Sequence, residues 1–175
     1  MGQTAFIPAS KDQAKALRSG ADPGLRRGCA VTPALLSALE PQTTTEEAEF
    51  AALSNAGVLA LVVSPELTRL VLAAELEPAQ ITATEDPSGE ITIPSLSWPQ
   101  VKALFLDEPA AADAVVTARL AVTETAGEVT LATALPLPEV GALLDGFDLL
   151  WFAPEELDHL GQTGDPTGIA ADRAD

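Results

Sequence analysis

The sequence predicts an α/β chain of the α+β kind: a single domain with a mixed β-sheet packed by helices and a hairpin near residues 81–93. Three observations predict it. Short apolar runs recur between helical patterns along the whole chain, which argues for strands interspersed with helices. Ile81 to Thr84 and Ile91 to Ile93 alternate apolar residues with threonine on either side of Asp86-Pro87-Ser88-Gly89, whose Pro and Gly sit where a type I turn prefers them. A long pattern from Thr43 to Val63 opens on a T-x-x-E capping box, Thr43 with Glu46, and ends before Pro65.

The elements follow in order. Thr4 to Pro8 reads as a first strand. Ser10 and Gln13 form an S-x-x-Q box that opens a helix to about Ser19, stopped by Gly20. Cys29-Ala30-Val31 is a brief second strand, and Thr32-Pro33 starts a helical turn. Val58 to Val63 is apolar on every side, so the long helix is expected to be buried on the sheet. Leu70 to Ala74 is a continuous apolar run suited to a strand covered on both faces. Ala103 to Leu106 is another buried strand, and Asp107-Glu108-Pro109 opens an alanine-rich helix to about Val122. Gly127 to Pro138 is compatible with a helix extension, a strand or an irregular crossing. Glu139 to Leu144 reads as helix, Asp148 to Phe152 as a final strand, and Glu155 to Leu160 as a short helix. The folded domain is expected over 1–160, with 161–175 a flexible acidic tail rich in Gly, Pro, Thr and Asp.

Charge separates along the chain. Residues 1–39 carry five bases (Lys11, Lys15, Arg18, Arg26, Arg27) against Asp12 and Asp22, a net of +3, and the remainder sums to −20, giving −17 in all. Hydrophobic content of 47% excludes wholesale disorder. So acidic a chain disfavours nucleic acid, because phosphate contacts require Lys and Arg, and disfavours anionic membrane surfaces for the same reason. Membrane insertion is not expected either, since Ala48 to Val63 is shorter than a span and is interrupted by polar residues. The partner class that fits is a protein with a basic surface. One cysteine cannot form an internal disulfide, and Met-Gly-Gln-Thr-Ala-Phe lacks a secretory layout, so a cytoplasmic location is expected.

The kit for chemistry is thin: one His, one Cys and no Tyr. Cys29 and His159 would have to meet to make a nucleophile pair, and Cys29 in an apolar strand reads more simply as an inert small hydrophobe. Zinc lacks a ligand set, and no catalytic residue, resident metal or cofactor is expected. Asp107, Glu108 and Asp113 stand at a strand-to-helix junction where carboxylates can converge on a hard cation, although ordinary helix capping accounts for them more simply. They are the basis of the alternative reading, a small-molecule-binding or metal-assisted enzyme. Arg26 and Arg27, between Gly24 and Gly28, form the one adjacent basic pair and an interaction candidate. Trp98 before Pro99 is a second candidate, whereas Trp151, between Leu150 and Phe152, fits core packing better. A third reading, an acidic decoy of nucleic acid, requires carboxylates arrayed along one face.

Three segments in this order resemble a known family: the opening strand with Ile7-Pro8-Ala9; Ala30-Val31-Thr32-Pro33-Ala34-Leu35 followed by Glu46-Glu47-Ala48-Glu49-Phe50-Ala51-Ala52-Leu53; and Asp148-Leu149-Leu150-Trp151-Phe152-Ala153. Leu70–Glu75 and Phe105-Leu106-Asp107-Glu108 fall where that family has similar strands. It is an uncharacterised family of small soluble actinobacterial proteins, a domain of unknown function, and the resemblance spans roughly residues 4–160. The chain departs from it at Gly127–Pro138 and in the tail. The resemblance implies a cytoplasmic α/β protein and brings no activity with it. The function expected is therefore that of a non-enzymatic interaction or accessory protein whose acidic surface docks on a basic partner.

Overall fold

A computed structural model describes residues 2–160 of the chain. The expected flexible tail, 161–175, lies outside the described residues. Among the described residues seven strands form one sheet: β1 (Gln3–Pro8), β2 (Arg27–Ala30), β3 (Leu70–Leu76), β4 (Thr82–Ala83), β5 (Glu90–Thr92), β6 (Val101–Asp107) and β7 (Leu149–Phe152). Their spatial order is β4-β5-β2-β1-β3-β6-β7, and every strand pair is antiparallel. The α+β class and the 81–93 hairpin are as the sequence predicts. That every pair runs antiparallel corrects the expected mixed sheet, since strand direction follows from how each connection crosses the sheet.

The hairpin β4–β5 turns at Asp86–Gly89, where the Gly89 amide donates to the Asp86 carbonyl (3.2 Å) and the Ser88 amide to Asp86 Oδ1 (2.8 Å). Gly89 sits at φ +79°, a conformation that strains side-chain-bearing residues, and a Cβ there would lie 2.5 Å from the Ala30 carbonyl. The glycine is thus demanded twice, by the turn and by the adjoining strand.

Among the described residues six α-helices accompany the sheet: α1 (Lys11–Arg18), α2 (Pro33–Ala38), α3 (Thr45–Val63), α4 (Ala112–Glu124), α5 (Leu131–Ala134) and α6 (Pro138–Gly146). The Ser10–Gln13 capping box on α1 is present in both directions. On α3 the box is Thr44 with Glu47, one residue beyond the expected Thr43 and Glu46. Both pairs match T-x-x-E, and a frame shift of one residue is invisible to the pattern alone. The Thr44 amide and hydroxyl both donate to the Glu47 carboxylate, which holds its pKa below the usual range. The open region 127–138 contains the single turn α5, capped by Thr130. The helix expected to begin at Pro109 starts as a 3-10 turn, Pro109–Ala111, before α4 takes over.

The sheet has a core on each face. Against one face pack α1, through Ala14 and Leu17, and the 3-10 turn Pro154–His159, through Leu157. Against the other lies the helix layer, with α3 over β1, β2 and β3, and α4 set between α3 and α6. Leu70, Leu72, Ala74 and Leu76 of β3 face the first core while Val71 and Ala73 face the second, so the unbroken apolar run reflects two covered faces. On β6 the register shifts between Ala73↔Ala103 and Ala74↔Val101. This bulge leaves Lys102 without a strand partner and exposed, and lets Val101 join Leu104 and Leu106 on one face. Arg119 on α4 closes the end of α3 by donating to the carbonyls of Ser64 and Glu66. Burial lowers its pKa. Among the described residues, no helix is long and apolar enough to cross a membrane.

Candidate functional site

The groups capable of chemistry are kept apart by the fold. Cys29 is wholly buried in the helix-side core, and that burial pushes its thiol strongly up. His159 is exposed on the turn that packs against the opposite face of the sheet. The sheet stands between them, so no thiolate–imidazole pair forms.

The carboxylate candidates diverge as well. Asp107 points inward to Arg69, which lies just ahead of β3. Arg69 Nη2 donates to Oδ1 at 2.6 Å, Nε reaches both oxygens at 3.1 Å, and the Arg69 backbone amide donates to Oδ2 at 2.6 Å. Both side chains are buried, at 1% and 0% exposure, so the charges neutralise one another away from water. Gly57 on α3 lets the guanidinium fit, since a Cβ there would lie 3.2 Å from Arg69 Nη1. Glu108 is half-buried and Asp113 exposed. Among the described residues no group of three His, Cys, Asp or Glu side chains is placed to hold a metal ion.

The basic N-terminal segment is largely engaged with its own chain. Arg26 forms a two-pronged pair with Asp22 (2.6 and 3.0 Å), and Arg27 donates to Glu90 Oε1 through Nε and Nη2 (2.9 and 2.6 Å). Beside Arg26 and the Gly24 amide, the Asp22 carboxyl drops to about 2. Arg18 clasps Asp158, and Lys11 Nζ donates to the Leu160 carbonyl, tying α1 to the C-terminal turn. These arginines therefore neutralise nearby acids, and Arg26 and Arg27 also border an open groove of about 180 Å³.

A different region gathers the features of a binding surface, namely the sheet edge formed by β7. The chain has five Phe and two Trp, and six of these seven lie on or beside this edge. Trp151 and Phe152 belong to β7, and Trp151 pairs across from Phe105. Phe50 and Phe147 border a small cavity of about 20 Å³ with Leu149 and Arg69 at one end of the strand. At the other end Trp98, Pro99, Lys102, Trp151 and Pro154 line an open groove of about 490 Å³. Phe6, in the central strand β1, is the exception.

Of the two tryptophans, Trp151 departs from the core packing that its neighbours suggested. Trp98 is half-buried against the core, whereas Trp151 is 61% exposed and Leu150 beside it 43%. A Trp between two apolar neighbours is expected inside when its strand is central. Here the strand is the terminal one among the described residues: Leu149 still packs against the helix-side core, and Trp151, two positions further on, is left exposed. A fully covered Trp buries about 150–250 Å². What Trp151 leaves uncovered is thus worth roughly 2–4 kcal/mol to a partner, at about 25 cal/mol per Å². Exposed carboxylates flank the edge, Asp145 and Asp148 before β7 and Glu155 and Glu156 after it. The sequence signal that could have marked this site was the clustering of Phe147, Trp151 and Phe152 among these acids.

No curated protein and no solved structure matches the chain. The model of a family of unknown function, DUF6912, matches residues 4–160, a span that takes in the sheet, both cores and the aromatic edge, and the chain belongs to that family.

Proposed function

We propose that the protein is a non-catalytic docking module that binds a basic protein partner through an acidic surface centred on β7, and that it does so in the cytoplasm. The observation that carries this reading is the placement of six of seven aromatic side chains at one sheet edge between two pairs of exposed acids. Aromatic anchors supply most of the energy of protein interfaces, and flanking charge selects the sign of the partner and speeds encounter. The scattering of Cys29, His159, Asp107 and Asp113 supports docking over the alternative, an enzyme built on Asp107, Glu108 and Asp113. The cytoplasmic assignment rests on the lone, buried cysteine.

Calorimetric titration of the full chain with an oligolysine peptide, at low and at high salt, tests the reading. Binding is expected at low salt and should fade as salt screens the acids. The double charge reversal Asp148→Lys with Glu155→Lys should weaken it on the order of tenfold or more, since each lost charge pair at an interface is worth roughly 1 kcal/mol or more. Failure to bind at low salt, or binding indifferent to that reversal, would sink the proposal.

A further inference from the structure

The structure assigns β7 as a strand-addition site: we infer that it takes up an extended segment of the partner, one whose side chains alternate between apolar and basic. This rests on the docking reading above and names the partner's form. Among the described residues β7 is the last strand of the sheet, and none of them supplies a strand to pair with the backbone donors and acceptors along its outer side. Sheets that must stay solitary guard such edges with charge, proline, a bulge or a covering helix. Leu149-Leu150-Trp151-Phe152 has no charge and no proline, and its register with β6 runs without interruption through four consecutive pairs. Leu150 and Trp151 are exposed upon it. An unguarded edge of this kind offers main-chain hydrogen bonds for affinity and alternate side-chain sites for selection.

Charge decides which strand arrives. Asp145 and Asp148 stand at one end and Glu155 and Glu156 at the other, all exposed. A second copy would bring the same four acids and another −17 charges to the edge. Residues 161–175, with Asp165, Asp172 and Asp175 against Arg173, carry the wrong sign too. A segment alternating apolar and basic residues satisfies both demands: its apolar side chains lie on the face that carries Trp151, and its basic ones lie on the opposite face, where the 3-10 turn bearing Glu155 and Glu156 packs.

The test uses the unaltered full chain and a short synthetic peptide of alternating valine and lysine. Amide hydrogen exchange followed by NMR should show slowed exchange at alternate residues of Leu149–Phe152 when the peptide is added. Two further peptides carry N-methyl groups either on the valines or on the lysines, which removes one set of backbone donors and leaves side chains and charge in place. One set should weaken binding at least tenfold and the other should have little effect, because alternate amides of a strand point to opposite sides. Equal binding by all three peptides, or binding without β7 protection, overturns strand addition while the acidic docking reading stands. No binding by this peptide or by oligolysine removes both. A dimer in sedimentation whose β7 amides are protected before any peptide is added assigns the edge to a second copy and overturns the inference.

Discussion

The two edges of the sheet are built to opposite specifications. At one end, β4 offers two exposed residues, Thr82 and Ala83, before the chain leaves for the Asp86–Gly89 turn. It is too short to template another chain. At the other end, β7 is twice as long, wholly apolar, and ringed by aromatic residues. The difference is instructive because both edges belong to the same sheet and face the same solvent. A chain with −17 net charge had acids enough to guard both. It places them at the ends of β7 and not on it, which keeps the strand open while setting the sign of what may approach.

The largest expected effect concerns what holds the β7 side in place. Asp107 pairs in register with Leu149, and its carboxylate is the counter-ion of buried Arg69. Asp107→Asn would leave that guanidinium charged and unpaired, at a cost of about 3–5 kcal/mol. Urea denaturation measures the loss, and exchange at Leu149–Phe152 should accelerate before that of β1 or β3. A loss below about 1 kcal/mol would show that the pair does not anchor this edge. The corresponding weak point on the other side is Gly89. Gly89→Ala combines a positive φ with the approach to the Ala30 carbonyl, and should cost roughly 1–3 kcal/mol, with the β4–β5 amides losing protection. If β7 loosened instead, the two edges would not be independent. The smallest effect is the sharpest comparison. Thr82→Lys and Leu150→Lys each place a charge on an exposed edge position, so stability should change by no more than about 0.5 kcal/mol in either. Only Leu150→Lys should reduce binding of the valine–lysine peptide; equal effects would erase the distinction between the edges.

Much of the fold was legible because the signals are local. The Ser10–Gln13 box, the Asp86–Gly89 turn and the unbroken apolar run of β3 each depend on residues a few positions apart, and each is found where the pattern indicates. Where two local patterns were equivalent, as with Thr43 and Thr44, the sequence could not choose. The candidate site was less legible. Trp98, a candidate from sequence, does border the groove, whereas the apolar neighbours of Trp151 point it to the core. Whether a strand is central or terminal depends on the order β4-β5-β2-β1-β3-β6-β7, a property of the whole chain. Arg69 carries no local signal, since its partner lies 38 residues away.

By itself, then, the sequence determined the alternation of strands and helices, the hairpin, the acidity of the body and the poverty of catalytic groups. These follow from composition and from short-range periodicity, which folding cannot alter. Tertiary structure alone decided that Cys29 and His159 fall on opposite faces, that Asp107 is spent on Arg69, and that Trp151 faces water while Trp98 packs inward. Each of those outcomes turns on which distant segments the sheet brings side by side, and free energy of packing, summed over the whole chain, makes that choice.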